Sequence, residues 1–342
     1  MQHTQERSHG GRPVAAFAMD AALQFSLFEP AVLDRLAAAT DLDTSSTITS
    51  FDLVDDTTLH ELELLITGWG APSIGPEELA RMPKLRAIVH AAGTVKGHLS
   101  PDVWDRGILV TTAAAANAYP VAEYTLAMIL LAGKGVLPIV RDYRLDAGIE
   151  VADRYPEIGN YRRVIGIVGA STVGRLVIQL LGHFDLTVLL YDPVIDDGDP
   201  ILASANRVEL AELFRRSSIV SIHAPLLDET RGMVGAAELA LLEPGATLIN
   251  TARAPIVDQA ALTDAVAAGR INAILDVTDP EPLPLSDRLR ALPDALLTPH
   301  IAGALGNELH RLGESAATEV ELFVAGRPPA YPIAKSDLAA RA

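Results

Sequence analysis

Residues Val164–Asp192 read VIGIVGASTVGRLVIQLLGHFDLTVLLYD, and this stretch decides the fold. Val164–Val168 is an apolar run with the length of a buried strand. Gly169, Ala170, Ser171, Thr172, Val173 and Gly174 follow as a tight strand-to-helix turn. Apolar residues at Val173, Leu176, Val177, Leu180, Leu181 and Phe184 recur at helical spacing. A second apolar run, Leu186–Tyr191, ends in Asp192. Strand, glycine turn, helix, strand and acid, in that order, make a dinucleotide-binding βαβ unit. A βαβ unit that only packs has no need of the glycines and the acid in register.

A pyrophosphate needs bare backbone N–H groups at a helix N-terminus. Gly169 permits the sharp turn, and Gly174 lets the helix lie close to the strand. The middle glycine of such turns is replaced by Ser171. Its Cβ narrows the approach to the phosphates, while its hydroxyl can donate to one. Asp192 follows Gly174 by eighteen positions, close to the ~20 of a ribose-binding acid. A carboxylate there accepts from the ribose hydroxyls and repels a 2′-phosphate. Asp196, Asp197 and Asp199 add negative charge, and no Arg or Lys occurs in the ten residues after Asp192. The expected cofactor is therefore NAD rather than NADP.

The chain has 342 residues, enough for two domains. It is 49% hydrophobic but only 5% aromatic, which suits parallel strands buried by aliphatic side chains. A net charge of −17 disfavours nucleic acid and anionic membrane surfaces as partners. No cysteine occurs, so disulfides, thiol nucleophiles and thiolate metal sites are excluded, and a cytoplasmic location is expected. The run Val14–Met19 is too short for a signal h-region or a membrane span and reads as a first strand. Residues 1–12 and 335–342 read as disordered tails.

Short apolar runs alternate with helical patterns along the whole chain. Strands are predicted at Val14–Met19, Leu64–Thr67, Ala87–His90 and Ile108–Thr111, with helices between them such as Pro76–Arg81 and Pro101–Arg106. Pro120–Leu131 is predicted as a helix with Pro120 in its first turn, apolar nearly all round and so buried between domains or subunits. The polar stretch 146–160 reads as a loop. Further strands are predicted at Thr187–Tyr191, Ile219–Ile222, Thr247–Asn250, Ala273–Asp276 and Leu296–Thr298. Helices are predicted near 208–216, 236–241 and 259–268, with a last one near 307–325.

Arg253, Glu281 and His300 each stand just beyond the C-terminal end of a predicted strand. That is the edge of an open α/β sheet where ligands bind. His223 lies at another strand end. The other histidines, His98 among them, show no partner spacing, and no H-x-x-H or H-E-x-x-H pair occurs, so no catalytic metal is expected.

With GASTVG and YDP, the motifs SIHAPLLDETRGMV, LINTARAPIVD, DVTDPEPLP and TPHIAG complete an ordered set. From about Leu64 to about Gly326 the sequence resembles the D-isomer-specific 2-hydroxyacid dehydrogenases. The resemblance implies NAD(H)-dependent interconversion of a small 2-oxo acid and its D-2-hydroxy acid. His300 matches the family's acid/base, Glu281 its carboxylate partner, and Arg253 the guanidinium that binds the substrate carboxylate. Asp279 lies two residues before Glu281, but the family acid directly precedes the proline, here Pro282. Cofactor contacts are implied for Gly169, Ser171, Thr172, Val173, Gly174, Asp192, Pro193, His223, Pro225, Thr230, Thr251, Ala252, Asp276 and Gly303. Substrate contacts are implied for Gly93 and Thr94 in the loop AAGTVK, for Asn117 and for Arg253. The family's acidic residue after that loop is missing here; Gly97 and His98 occupy the region.

The implied fold is α/β, with two doubly wound parallel-sheet domains, Rossmann-like and flavodoxin-like, and a cleft between them. A discontinuous substrate domain is expected at 13–117 and 300–334 and an NAD-binding domain at 118–299. A homodimer is implied, and no regulatory domain is expected after Ala342. The family also holds a non-catalytic, corepressor-like NAD sensor, against which the intact Arg253, Glu281 and His300 argue. A formate- or phosphite-type dehydrogenase is the third reading; a formate-type site carries Gln where Glu281 stands.

Overall fold

A computed structural model describes residues 11–337. They form two parallel-sheet α/β domains, one running to Asn117 and resumed from Leu305, the other Ala118–Ala304. Residues 300–304, expected with the first domain, lie with the second. The cause is Asp276, whose carboxylate accepts from the N–H groups of Ile301 and Ala302, both at 2.8 Å.

The first domain holds β1 (Val14–Ala18), β2 (Asp41–Ile48), β3 (Leu64–Thr67), β4 (Ala87–His90) and β5 (Leu109–Thr112). Their spatial order is β2-β1-β3-β4-β5, the flavodoxin-like winding. β3 and β4 are buried at every position, as strands covered on both faces must be. β2 was not legible in the sequence. It reads DLDTSSTI and is an edge strand with a mostly solvated surface, so no apolar run marks it. The last helix, Leu309–Val324, returns to this domain; a Cβ on its Gly313 would stand 2.0 Å from Leu27 O. Parts of the expected tails are anchored here: Arg12 donates to Ala37 O at 2.8 Å and Lys335 pairs with Asp105 at 2.6 Å. Residues 1–10 and 338–342 of those tails lie outside the described residues, as do His3 and His9.

The second domain holds β6 (Val164–Val168), β7 (Thr187–Tyr191), β8 (Asn206–Arg207), β9 (Ile219–Ile222), β10 (Thr247–Asn250), β11 (Asn272–Leu275) and β12 (Ala295–Leu297). Their order, β12-β11-β10-β9-β6-β7-β8, is doubly wound and reverses between β6 and β9. Register aligns Val168, Ile222, Asn250, Leu275 and Leu297 across five neighbouring strands. The segments that leave these residues therefore start from one line at the carboxyl edge. Aliphatic clusters cover both faces of this sheet, one around Val220, Leu248 and Ala273, the other around Ile165, Ile167 and Ile249.

The helix expected at 120–131 spans Ala114–Gly133, with Pro120 in its interior rather than its first turn. Alanine's high helix propensity carries AAANAY into the helix ahead of the proline. Burial follows a stripe of Ala118, Ala122, Thr125, Ile129 and Gly133, with Pro120 buried apart from it, whereas Tyr119 and Leu131 are exposed on the single chain. The stretch 146–160 is not all loop: Val151–Arg154 forms one helical turn. Arg154 there pairs with the buried Asp142 at 2.7 Å, and Tyr155 donates to the same carboxylate at 2.5 Å. Among the described residues no single helix is long and apolar enough to cross a membrane. Ala114–Gly133 and Val136–Leu145 are long and apolar enough only as a pair, which is bent by 53°.

Candidate active site

Gly169 stands at the switch point with φ +100°, the left-handed region that favours glycine. A Cβ there would lie 2.6 Å from Ala224 N, and one on Gly174 would lie 2.1 Å from Gly169 O. The helix Thr172–Leu181 thus starts hard against the strand ends. Ser171 is its N-cap, and its Oγ accepts from Gly174 N at 3.3 Å. The serine replaces the missing glycine by terminating the helix, and its hydroxyl proton stays available for a phosphate. Asp192 meets the same turn: Oδ2 accepts from Ala170 N at 2.7 Å and Oδ1 from Val194 N at 3.0 Å. Pro193, next in the chain, is exposed. Thr172 and Val173 occupy the first turn of the helix. These residues fit a dinucleotide, since the cradle exists only where a Cβ would fill it.

His223 leaves β9 beside the turn, its Nε2 2.9 Å from Ser221 Oγ. Burial pushes its pKa down to about 3, so it stays neutral and is a packing group rather than a base. Thr230 donates to Pro225 O at 2.6 Å and accepts from Leu227 N at 2.8 Å, which closes the loop after β9. Beyond β10, Asn250 braces the next turn: its Oδ1 accepts from Ala252 N and its Nδ2 donates to Arg253 O, both at 3.0 Å. Thr251 is buried against Thr125, with 3.0 Å between the hydroxyls. Arg253, half-buried, donates to Ala252 O at 2.7 Å. Burial lowers its pKa, and the charge of Glu281 opposes that shift.

Glu281 is the common partner. Its Oε1 lies 2.7 Å from His300 Nδ1, and its charge also reaches Arg253. Asp279 does not compete for the imidazole; its backbone is tied to Gln259 on both sides, at 2.9 and 2.7 Å. The three ionisable residues picked from strand ends are thus together in one domain. His300 sits at φ 55°, a conformation that costs a non-glycine residue about 1–3 kcal/mol. Asp276 holds it there. Beyond its bonds to Ile301 and Ala302, it accepts from Thr298 Oγ1 at 2.6 Å, and its backbone carbonyl accepts from His300 N at 3.0 Å. Gly303 ends this turn. Tyr124, which the sequence did not single out, completes the brace with its hydroxyl 2.8 Å from Thr298 Oγ1.

Gly93, Thr94 and Asn117 belong to the first domain. A Cβ on Gly93 would be 3.7 Å from Asn117 Nδ2, so loop and asparagine adjoin. Thr94 Oγ1 accepts from Lys96 N at 3.2 Å. His98, for which the chain spacing marks no partner, has one in space. Its ring lies 4.7 Å from that of His90, centroid to centroid, and His90 Nδ1 is 2.9 Å from Thr67 Oγ1. Chain spacing could not show this, because the loop folds back on the strand it leaves.

A model of the D-isomer specific 2-hydroxyacid dehydrogenase NAD binding domain matches residues 126–302. The chain is 32% identical over 258 residues to a D-3-phosphoglycerate dehydrogenase of Mycobacterium tuberculosis, covering 75% of this chain and 48% of that protein. It thus spans about half the length of that relative. It is also 32% identical over 249 residues to a glyoxylate reductase of Thermofilum pendens, covering 70% of this chain and 72% of that one. A crystal structure of D-lactate dehydrogenase from Aquifex aeolicus, complexed with NAD and lactic acid, is similar at a TM-score of 0.66 and 26% identity. It covers 92% of this chain and 96% of that one. Glycine turn, strand-end triad and sequence match agree, and the chain belongs to the D-isomer specific 2-hydroxyacid dehydrogenase family.

Proposed function

We propose that the protein is an NAD-dependent oxidoreductase that interconverts a small 2-oxo acid and its D-2-hydroxy acid. The observation that carries this reading is the 2.7 Å contact between His300 Nδ1 and Glu281 Oε1, with Arg253 near enough to feel the charge of that carboxylate. When bound, NADH supplies the hydride and NAD accepts it. Nδ1–H donates to Glu281, which orients the ring and leaves Nε2 as the atom that moves a proton. In the reductive direction Nε2–H gives its proton to the carbonyl oxygen as that oxygen becomes a hydroxyl. In the oxidative direction the neutral Nε2 takes the hydroxyl proton back. Arg253 binds the substrate carboxylate with a planar fork, which fixes the reacting carbon relative to His300. Asn250 and Asp276 keep the two turns in place.

The remaining assignments belong to the same reading. Gly169, Ser171, Thr172, Val173 and Gly174 hold the pyrophosphate; Asp192 and Pro193 hold the ribose. His223, Pro225, Thr230, Thr251, Ala252, Asp276 and Gly303 lie along the rest of the cofactor. Gly93, Thr94 and Asn117 bind the acid. The protein acts in the cytoplasm as a homodimer, to which the apolar side chains exposed on Ala114–Gly133 and Val136–Leu145 contribute.

The test is NADH oxidation by purified protein with a panel of 2-oxo acids that includes glyoxylate, hydroxypyruvate and pyruvate. Saturable turnover with at least one is expected. Tight NADH binding without turnover across the panel would instead make the protein a nucleotide sensor.

A further inference from the structure

Arg175 sits in the first turn of the helix Thr172–Leu181, directly after Gly174. Its Nε donates to Ala170 O at 2.9 Å. The N–H of that same Ala170 is the one Asp192 accepts from. Cation and acid therefore flank a single residue of the glycine turn. The terminal nitrogens of Arg175 are taken by Asp199, at 2.7 Å to Oδ1 and 2.6 Å to Oδ2, a parallel bidentate pair. A second arginine is engaged by the same loop: Arg207, on β8, pairs with Asp197 at 2.9 Å. The stretch after Asp192 contains no cation of its own, yet the fold brings two to it and two of its aspartates hold them.

We infer that Asp199 is a cofactor-specificity residue: by binding both arms of Arg175 it withholds from a 2′-phosphate the guanidinium beside Asp192, and so reinforces selection of NAD over NADP. The inference rests on the reading above that a dinucleotide sits at this glycine turn. Asp192 repels the extra phosphate, and Asp199 removes the counter-charge that would relieve that repulsion. A guanidinium freed of its partner is a ready phosphate ligand, since the same fork fits both anions. Asp199 also caps the short helix Pro200–Ala203, accepting from Ile201 N at 2.9 Å, so a replacement must keep an oxygen there.

The experiment is calorimetric titration of NADH and NADPH into the full chain, which reads binding independently of turnover. Asp199→Asn keeps the cap and loses the ion pair. It is expected to tighten NADPH relative to NADH by about tenfold, the scale of one hydrogen bond to a charged group. Asp199→Ser, a second cap-preserving change, is expected to move the ratio the same way. The gain is expected to vanish in Arg175→Gln/Asp199→Asn. Asp196→Asn removes one charge from the same loop without touching Arg175 and is expected to leave the ratio within about twofold of the starting protein. An unchanged ratio in Asp199→Asn, an equal shift in Asp196→Asn, or a gain that survives without Arg175 overturns the inference. So does loss of both nucleotides in both Asp199 variants, which would make the residue structural. Starting protein that binds neither nucleotide removes the cofactor reading itself, and this inference with it.

Discussion

In the reaction proposed above His300 moves the proton, and its left-handed backbone and contact with Glu281 set it apart from the buried His223. His223 is buried with its Nε2 against Ser221, and that burial disfavours its protonated form at working pH. His300 is half-exposed, paired with Glu281, and held in a left-handed conformation by Asp276. Removing its ring deletes the proton relay and leaves the glycine turn untouched. His300→Ala is therefore expected to lower turnover ~100-fold or more, the usual loss for a general acid, with the affinity for NADH nearly unchanged by calorimetry. Near-native turnover in that variant would take His300 out of the mechanism. Its place near the strand edge was legible because the apolar run Ala295–Leu297 precedes it with only Thr298 and Pro299 between. The roles of Asp276 and Tyr124 in fixing it were not, because they act through Thr298 and backbone N–H groups, and sequence spacing carries no trace of such bonds.

Among the elements, legibility followed burial. β3, β4, β9 and β10 are buried at every position and read as mainly apolar runs. The two-residue β8 and the polar β2 lie at sheet edges, where half the side chains meet water and the pattern dissolves. The helix Ala114–Gly133 was found but misplaced at its start, because Pro120 reads as a boundary and the alanines before it carry no periodicity. Its apolar character was expected to mean burial between domains or subunits, and the exposed side chains bear on the second of these. Leu131 is 46% exposed, and on the following helix Tyr143 is 61% and Leu145 83% exposed. Exposed aliphatic and aromatic side chains on neighbouring helices fit a second copy of the chain better than solvent. Dimer mass is expected by light scattering at micromolar concentration. Leu131→Glu/Tyr143→Glu is expected to give monomer with helix content preserved, since both positions already face outward. A dimer that survives the double change would move the interface to another surface.

At the scale of the whole molecule, both domains carry histidines that the fold keeps uncharged. Burial pushes His223 in the second domain and His90 in the first down to about 3, and His98 down to about 4. Proximity to His98 lowers His90 further. In the unfolded chain each titrates near the ordinary value of about 6.5. Between the folded and unfolded values the unfolded chain binds more protons, so stability rises with pH across that window. It is fully present above about pH 6.5 and is lost progressively as the pH falls toward about 3. Carboxylates with lowered pKa, such as Asp199, also stabilise less in acid, but only as the pH approaches their unfolded value of about 4. The slope between pH 7 and 5 therefore belongs to the buried imidazoles. Melting temperature measured by scanning calorimetry is expected to fall by about 10 °C or more over that interval, since each of the three imidazoles gives up about 2 kcal/mol. His98→Phe preserves a ring against His90 and removes one titrating group, so its melting curve is expected to shift less with pH whatever its height. A melting temperature that is flat from pH 7 to 5, or a slope that His98→Phe leaves unaltered, would show that these rings already carry their protons, or find them cheaply, inside the folded chain.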